Sequence, residues 1–143
     1  MKTIGMLGGM SWESTTSYYK ALNLGVKNAL GGLHSAKICM ISVDFAEIET
    51  LQHQGDWQQT ANILTEAAKS VEAGGADFLL ICTNTMHKVA DEIASNMMAI
   101  FAAVRTEWAD GTAVGAAGLD GDVAMAVSTL ASLRLLPAGR VRH

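Results

Sequence analysis

The 143-residue sequence holds one proline, Pro137, and two cysteines, Cys39 and Cys82. The cysteines form no CxxC pair, and His34, His53, His87 and His143 are scattered without ligand spacing, so no metal site is expected. Positive charge is also scarce. The net charge is -4 and the pI about 5.4, and no Lys/Arg cluster interleaves with aromatics, which leaves no basic field for nucleic acid. The longest apolar stretch, residues 97–104, is far too short to span a bilayer. The amino terminus runs into Trp12-Glu13 with no apolar signal region or cleavage site. These absences predict a soluble, cytoplasmic chain with no membrane partner. The dinucleotide pattern GxGxxG is missing too, because Gly5, Gly8 and Gly9 are wrongly spaced, and no lysine follows as a phosphate-binding P-loop requires.

What is present is a hydrophobic half: 50% of residues are apolar, enough for one domain with a real core. Residues 2–7 read as a first strand, and Gly8-Gly9 permits a tight turn into a helix over 12–30. Tyr18, Leu22, Val26 and Ala29 repeat at three- and four-residue spacing along that helix, and Gly31-Gly32 stops it. Residues 37–43 are a mostly apolar run ending at Asp44, the pattern of a strand buried on both faces. A polar stretch follows. Asp56 to Gln59 then resembles a capping box, and Trp57, Ala61, Leu64, Ala68 and Val71 line one face of a helix ending at Gly74-Gly75. A third strand over 77–82 and a shorter helix from about 88 to 95, carrying Val89 and Ile93 inward, complete a β-α-β-α-β-α order. That order predicts an α/β fold, a three-layer parallel sheet flanked by helices.

Near residue 97 the composition changes. All six lysines precede that point and all four arginines follow it, and Ala, Gly and Val dominate residues 113–127. The expected division is an α/β unit over 1–96 and an atypical Ala/Gly/Val-rich tail over 97–143, with at most one weak helix around 123–135. A mobile tail would explain the shift, and so would a change of reading frame.

The most informative run is Cys82-Thr83-Asn84-Thr85-Met86-His87, directly after the apolar Phe78 to Ile81. An open α/β sheet binds ligands just beyond the carboxyl ends of its strands, where Asn84 and Thr85 supply polar donors. Alternation along an extended chain sets Cys82 and Thr83 on opposite faces and Thr83 and Thr85 on one. A buried apolar thiol is the commoner fate of a cysteine at a strand end. Gly8-Gly9-Met10-Ser11 joins a strand to a helix amino terminus, where backbone N–H groups and the Ser11 hydroxyl can meet an anion; a plain turn with an N-cap fits as well. His87 is either a supporting base or a solvent-facing residue at a helix start. Gln52 is placed in the loop beyond strand two, on the same sheet edge as Ser11 and Thr83, where an exposed amide is the simpler reading.

Residues 1–96 resemble the amino-terminal half of the aspartate/glutamate racemase family, amino-acid racemases that use no pyridoxal phosphate. The matching pieces are Ile4-Gly5-Met6-Leu7-Gly8-Gly9-Met10-Ser11-Trp12-Glu13-Ser14-Thr15, Ser42-Val43-Asp44-Phe45, Gln52 with Gly55-Asp56-Trp57, and Cys82 to His87. The resemblance implies one lobe of a two-lobed α/β fold, no cofactor, an acidic amino acid as ligand, and one acid/base residue from each lobe. It places Gln52, Asn84, Thr85 and the Met10-Ser11 turn around the substrate's carboxylates and amino group. Two opposed groups are needed because the α-proton leaves one face and a proton returns to the other, while fixed donors stabilise the carbanion.

The sequence departs from that pattern twice. Aligned on Asn84-Thr85, the first acid/base position is Thr83, where most of the family has cysteine; a hydroxyl is a much poorer base than a thiolate. The resemblance thus implies an asymmetric subgroup with Thr83 as proton relay. The second half-site, a Gly-Cys-Thr-Glu type motif, occurs nowhere in residues 97–143, and no cysteine follows Cys82. The second lobe is accordingly expected to be truncated or frame-shifted and turnover impaired. Three readings follow: an acidic amino-acid racemase by descent, a non-catalytic ligand-binding or oligomer-forming remnant, and a single-cysteine reaction of the wider superfamily resting on Cys82. Loss of the second lobe would expose the cleft face, and a homodimer is expected.

Overall fold

The computed structural model describes residues 1–83 and 85–96. Strand β1 (Ile4–Gly8) leads into helix α1 (Trp12–Leu30), strand β2 (Ile38–Ser42), helices α2 (Phe45–Gln54) and α3 (Trp57–Ala73), and strand β3 (Phe78–Ile81). A 3-10 turn (Thr85–Val89) and helix α4 (Ala90–Ser95) follow. The sheet is parallel, with order β2-β1-β3. Ile4 lies opposite Ile38 on one side and Phe78 on the other, and Leu7 lies opposite Ile41 and Ile81.

Strand periodicity sorts the core into two layers. Ile4, Met6, Phe78, Leu80 and Cys82 pack with Leu22 on the α1 side of the sheet. Leu7, Leu79 and Ile81 pack on the other side with Ala61, Leu64, Ala68 and Val71 of α3. Consecutive side chains of β1 and β3 therefore serve opposite faces, and the sheet is covered twice, as the expected three-layer arrangement requires. Gly5 leaves room for α3 and β3: a Cβ there would lie 2.7 Å from Val71 Cγ1 and 2.5 Å from the Phe78 carbonyl oxygen.

The helix ends follow from their caps. Asp56 Oδ1 accepts from Gln59 N at 3.0 Å, as the capping-box pattern predicts. The Gly31 N–H donates to the Lys27 carbonyl at 2.7 Å and closes α1.

Three expectations need correction. The segment read as a polar stretch after strand two is helix α2. Only Ile48 of α2 is buried, so no apolar stripe announced the helix. Its caps did: the Asp44 carboxylate accepts from Ala46 N at 3.0 Å, Glu47 lies in the first turn, and Gly55 closes the end. Strand β2 is half-buried rather than covered on both faces, with Met40 41% exposed, because among the described residues it lies at the sheet edge. Finally, the chain turns into the 3-10 segment at Thr85, before the helix start expected near residue 88, and Val89 and Ile93 are buried as expected. The tail over 97–143, including the helix expected around 123–135, lies outside the described residues.

Candidate functional site

The sequence 2-1-3 in space places β1 between strands reached by crossovers that run in opposite directions. The crevice beyond the carboxyl ends of β1 and β3 is thus the topological switch point, where open α/β sheets bind ligands. Two backbone bonds fix its floor. Val43 N–H donates to the Gly8 carbonyl at 2.9 Å, and Cys82 N–H donates to the Leu7 carbonyl at 3.0 Å. The segments leaving all three strands are thereby held level, and they carry Met10-Ser11, Asp44 and Thr83.

The β1–α1 turn is tightly held. Gly9 has φ +95, and a Cβ on it would lie 2.8 Å from Ser42 Oγ and closer still to the Val43 carbonyl oxygen. The Gly9 N–H donates to Thr15 Oγ1 at 2.8 Å in a buried setting. Of the donors expected here for an anion, that backbone N–H is therefore already used. Ser11 makes no side-chain capping bond to α1, so its hydroxyl is not drawn onto the helix. The Met10–Ser11 peptide is cis. Met10 itself is 3% exposed and packs in the α3-side core, so its side chain belongs to the floor of the site and only its backbone reaches the edge.

On the β3 side, Cys82 is fully buried beside Met6 and Leu80, with its thiol 3.8 Å from the Leu80 carbonyl. Burial pushes this thiol up to about 12, because the thiolate would lose its hydration. Cys82 is therefore a packed apolar group, which argues against the reading that made it a protonating residue. Thr83, the residue after it, is partly exposed. The alternation does not extend to Thr85, which is exposed at the start of the 3-10 turn. Asn84 lies outside the described residues, and His87 belongs to the 3-10 turn.

Gln52 is on the last turns of α2, not in a loop. It is half-buried, and its Nε2 lies 3.9 Å from Met86 Sδ, a weak bond that links α2 to the 3-10 turn. Two further contacts tie the same region to the start of α3. Lys88 Nζ lies 4.6 Å from the Trp57 ring centroid, and Gln58 Nε2 donates to Glu92 Oε1 at 2.7 Å. Ser11 and Thr83 thus follow the carboxyl ends of neighbouring strands, and Gln52 contacts the 3-10 turn that begins at Thr85. No group of three or more His, Cys, Asp or Glu that could hold a metal ion occurs among the described residues. No described helix is long and apolar enough to cross a membrane.

The family model for Asp/Glu/hydantoin racemases matches residues 7–131, most of the chain. The chain belongs to this racemase family. A candidate Asp/Glu racemase from Yersinia pestis, known from its crystal structure, is 58% identical with a TM-score of 0.66; the match covers 67% of this chain and 42% of that one. An aspartate racemase homologue from Pyrococcus horikoshii is 29% identical with a TM-score of 0.65, over 72% of this chain and 45% of that one. The chain thus spans under half the length of each of these two racemase-family structures.

Two residues of this racemase lobe were missed by sequence reasoning. Thr15 and Met86 stand within the family signature, but a helix-borne threonine and a methionine carry no spacing signal of their own. Their contacts with Gly9 and Gln52 exist only in the folded chain. The burial of Cys82 gives a direct test. At alkaline pH the unfolded thiol ionises near pH 9 while the folded one stays protonated up to about 12, so the folded state holds the extra proton and loses stability as pH rises through that window. Cys82→Ala is expected to make the alkaline loss shallower by up to about 1.4 kcal/mol per pH unit above pH 9. Urea titrations of both proteins between pH 8 and 10.5 check this; parallel losses would refute the buried, neutral thiol.

Proposed function

We propose that this chain carries one half of a cofactor-independent site for racemising an acidic amino acid, aspartate or glutamate. The observation that carries the reading is the strand order of a racemase-family lobe, which sets the segments leaving β1 and β3, with Ser11 and Thr83, beside the switch point, together with the Gln52–Met86 contact that ties α2 to the turn carrying Thr85. In this reading Thr83 is the acid/base group on one face of the α-carbon. The Met10-Ser11 turn, Gln52, Asn84 and Thr85 hold the carboxylates and the amino group. A helix amino terminus beside the turn favours the carboxylate electrostatically. The carbanion needs fixed donors, and side chains set on helices and strand ends supply them without reorganisation.

The division at residue 96 is part of this proposal. The family match continues to residue 131, so the boundary concerns site motifs: no second cysteine half-site follows Cys82. The burial of Cys82, which leaves only a hydroxyl at Thr83, favours a second reading, ligand binding without turnover. A homodimer fits either reading, since among the described residues β2 has a strand on one side only and its own Met40 is exposed.

The test is NMR of L- and D-aspartate and glutamate incubated with the protein in deuterated water, with chiral analysis of the same samples. Deuterium at the α-carbon with retained configuration is the expected result for a working half-site. Exchange with inversion would show that the chain supplies both acid/base groups. Binding without exchange would establish the remnant reading, and neither binding nor exchange would sink both.

A further inference from the structure

Thr15 is a buried polar side chain, 5% exposed, on the first turns of α1, and no step of the proposed chemistry uses it. Its hydroxyl accepts from the Gly9 N–H at 2.8 Å and donates to the Ser11 carbonyl at 3.3 Å, so its one proton and one of its lone pairs are both committed to the same turn. The Thr15 side chain also lies flush on the preceding glycine: a Cβ on Gly8 would be 2.5 Å from Thr15 Cγ2 and 2.7 Å from Oγ1. The opposite side of the turn is closed by β2, through the Val43 N–H to the Gly8 carbonyl at 2.9 Å and through the close approach of Gly9 to Ser42 and Val43. The bonds of Thr15 bracket Met10, with one on the residue before it and one on the residue after.

We infer that Thr15 is a positioning residue, whose hydroxyl fixes the Met10-Ser11 turn in the geometry that receives the ligand's carboxylate. The inference rests on the proposed reading that this turn contacts an acidic amino acid. Without the hydroxyl, Gly9 N–H loses its acceptor and Ser11 loses one of the two bonds on its carbonyl, the other being Thr15 N–H at 3.3 Å. The turn would then exchange among arrangements instead of presenting one, and pre-organisation is the term that a small polar ligand depends on most. A freed Gly9 N–H could also reach for the ligand itself, which the native turn prevents.

Thr15→Val keeps the branched shape and deletes both hydroxyl bonds; Thr15→Ser keeps the hydroxyl. Isothermal titration of the three proteins with the enantiomers of aspartate and glutamate separates positioning from folding, because a purely structural role lowers the competent fraction and leaves the dissociation constant of the folded molecules intact. The expected result for Thr15→Val is a Kd raised on the order of tenfold to a hundredfold at unchanged stoichiometry, with Thr15→Ser close to wild type. An unchanged Kd for Thr15→Val, or a Thr15→Ser variant as weak as Thr15→Val, overturns the assignment. Wild-type silence toward all four amino acids sinks the functional reading and this role with it, whereas wild-type binding with an unaltered variant Kd sinks this role alone. Should Thr15→Val not fold, amide exchange in the wild-type protein decides. The Gly9 N–H is expected to be protected in the free protein and unaffected by ligand, and protection that arises only on ligand addition would overturn the lock.

Discussion

Thr83→Val is expected to slow deuterium incorporation at the α-carbon of aspartate or glutamate by about a hundredfold or more, the usual scale for losing a positioned acid/base group. Valine matches threonine in shape and carries no proton, so the comparison isolates the hydroxyl. Thr83→Ser is expected to retain most of the rate. The position supports the role: Thr83 follows Cys82, whose N–H is fixed to the Leu7 carbonyl, and it is partly exposed at the switch point. Its neighbour cannot take over. Cys82 is fully buried with its thiol pushed up to about 12, and Cys82→Ala is expected to leave exchange nearly unchanged. The rates are read by NMR in deuterated buffer on the proteins named. Equal rates for Thr83→Val and wild type would remove Thr83 from the chemistry, and a collapse in Cys82→Ala at unchanged stability would return the thiol to it.

The second large effect concerns the turn. Gly9→Ala is expected to cost about 3–5 kcal/mol, from the strain of a side chain at positive φ together with overpacking. At φ +95 the new Cβ would meet Val43 N and Ser42 Oγ at 2.8 Å as well as the Val43 carbonyl. Val43 cannot retreat cheaply, since its N–H holds the Gly8 carbonyl at 2.9 Å. Gly55 supplies the control. It also has positive φ, +68, but no atom lies within 4 Å of its Cβ position, so Gly55→Ala is expected to cost only about 1 kcal/mol. Urea unfolding of both variants measures the difference, and equal losses would show that the close approach to β2 contributes nothing. Against a total stability of roughly 5–15 kcal/mol for an ordinary domain, the Gly9 change removes a large part.

Much of the fold was legible because local patterns and tertiary demands agree. Of the expected α3 stripe, Ala61, Leu64, Ala68 and Val71 are fully buried and Trp57 is half-buried, and Asp56 caps the helix as its spacing predicts. The alternation of Phe78, Leu80 and Cys82 against Leu79 and Ile81 appears as two separate core layers. Helix α2 was hidden because it buries one residue, Ile48, and a helix with so narrow an apolar contact leaves no periodic trace. Its misreading displaced Gln52 from a helix to a loop. The burial of β2 was overestimated for a related reason: an apolar run states what can be buried, whereas the strand order decides how many neighbours it has.

By itself the sequence determined the alternation of strands and helices, the turn at Gly8-Gly9, the family signature, and the buried, apolar place of Cys82 at the end of β3. These depend on periodicity, glycine geometry and residue order, which are local properties of the chain. Only the tertiary structure decided that β1 is central, that Met10 turns into the core, that Gln52 meets Met86, and that the Thr15 hydroxyl bridges Gly9 and Ser11. Those are contacts between separate elements, and their free energy comes from desolvation and hydrogen bonds that form when helices pack against the sheet.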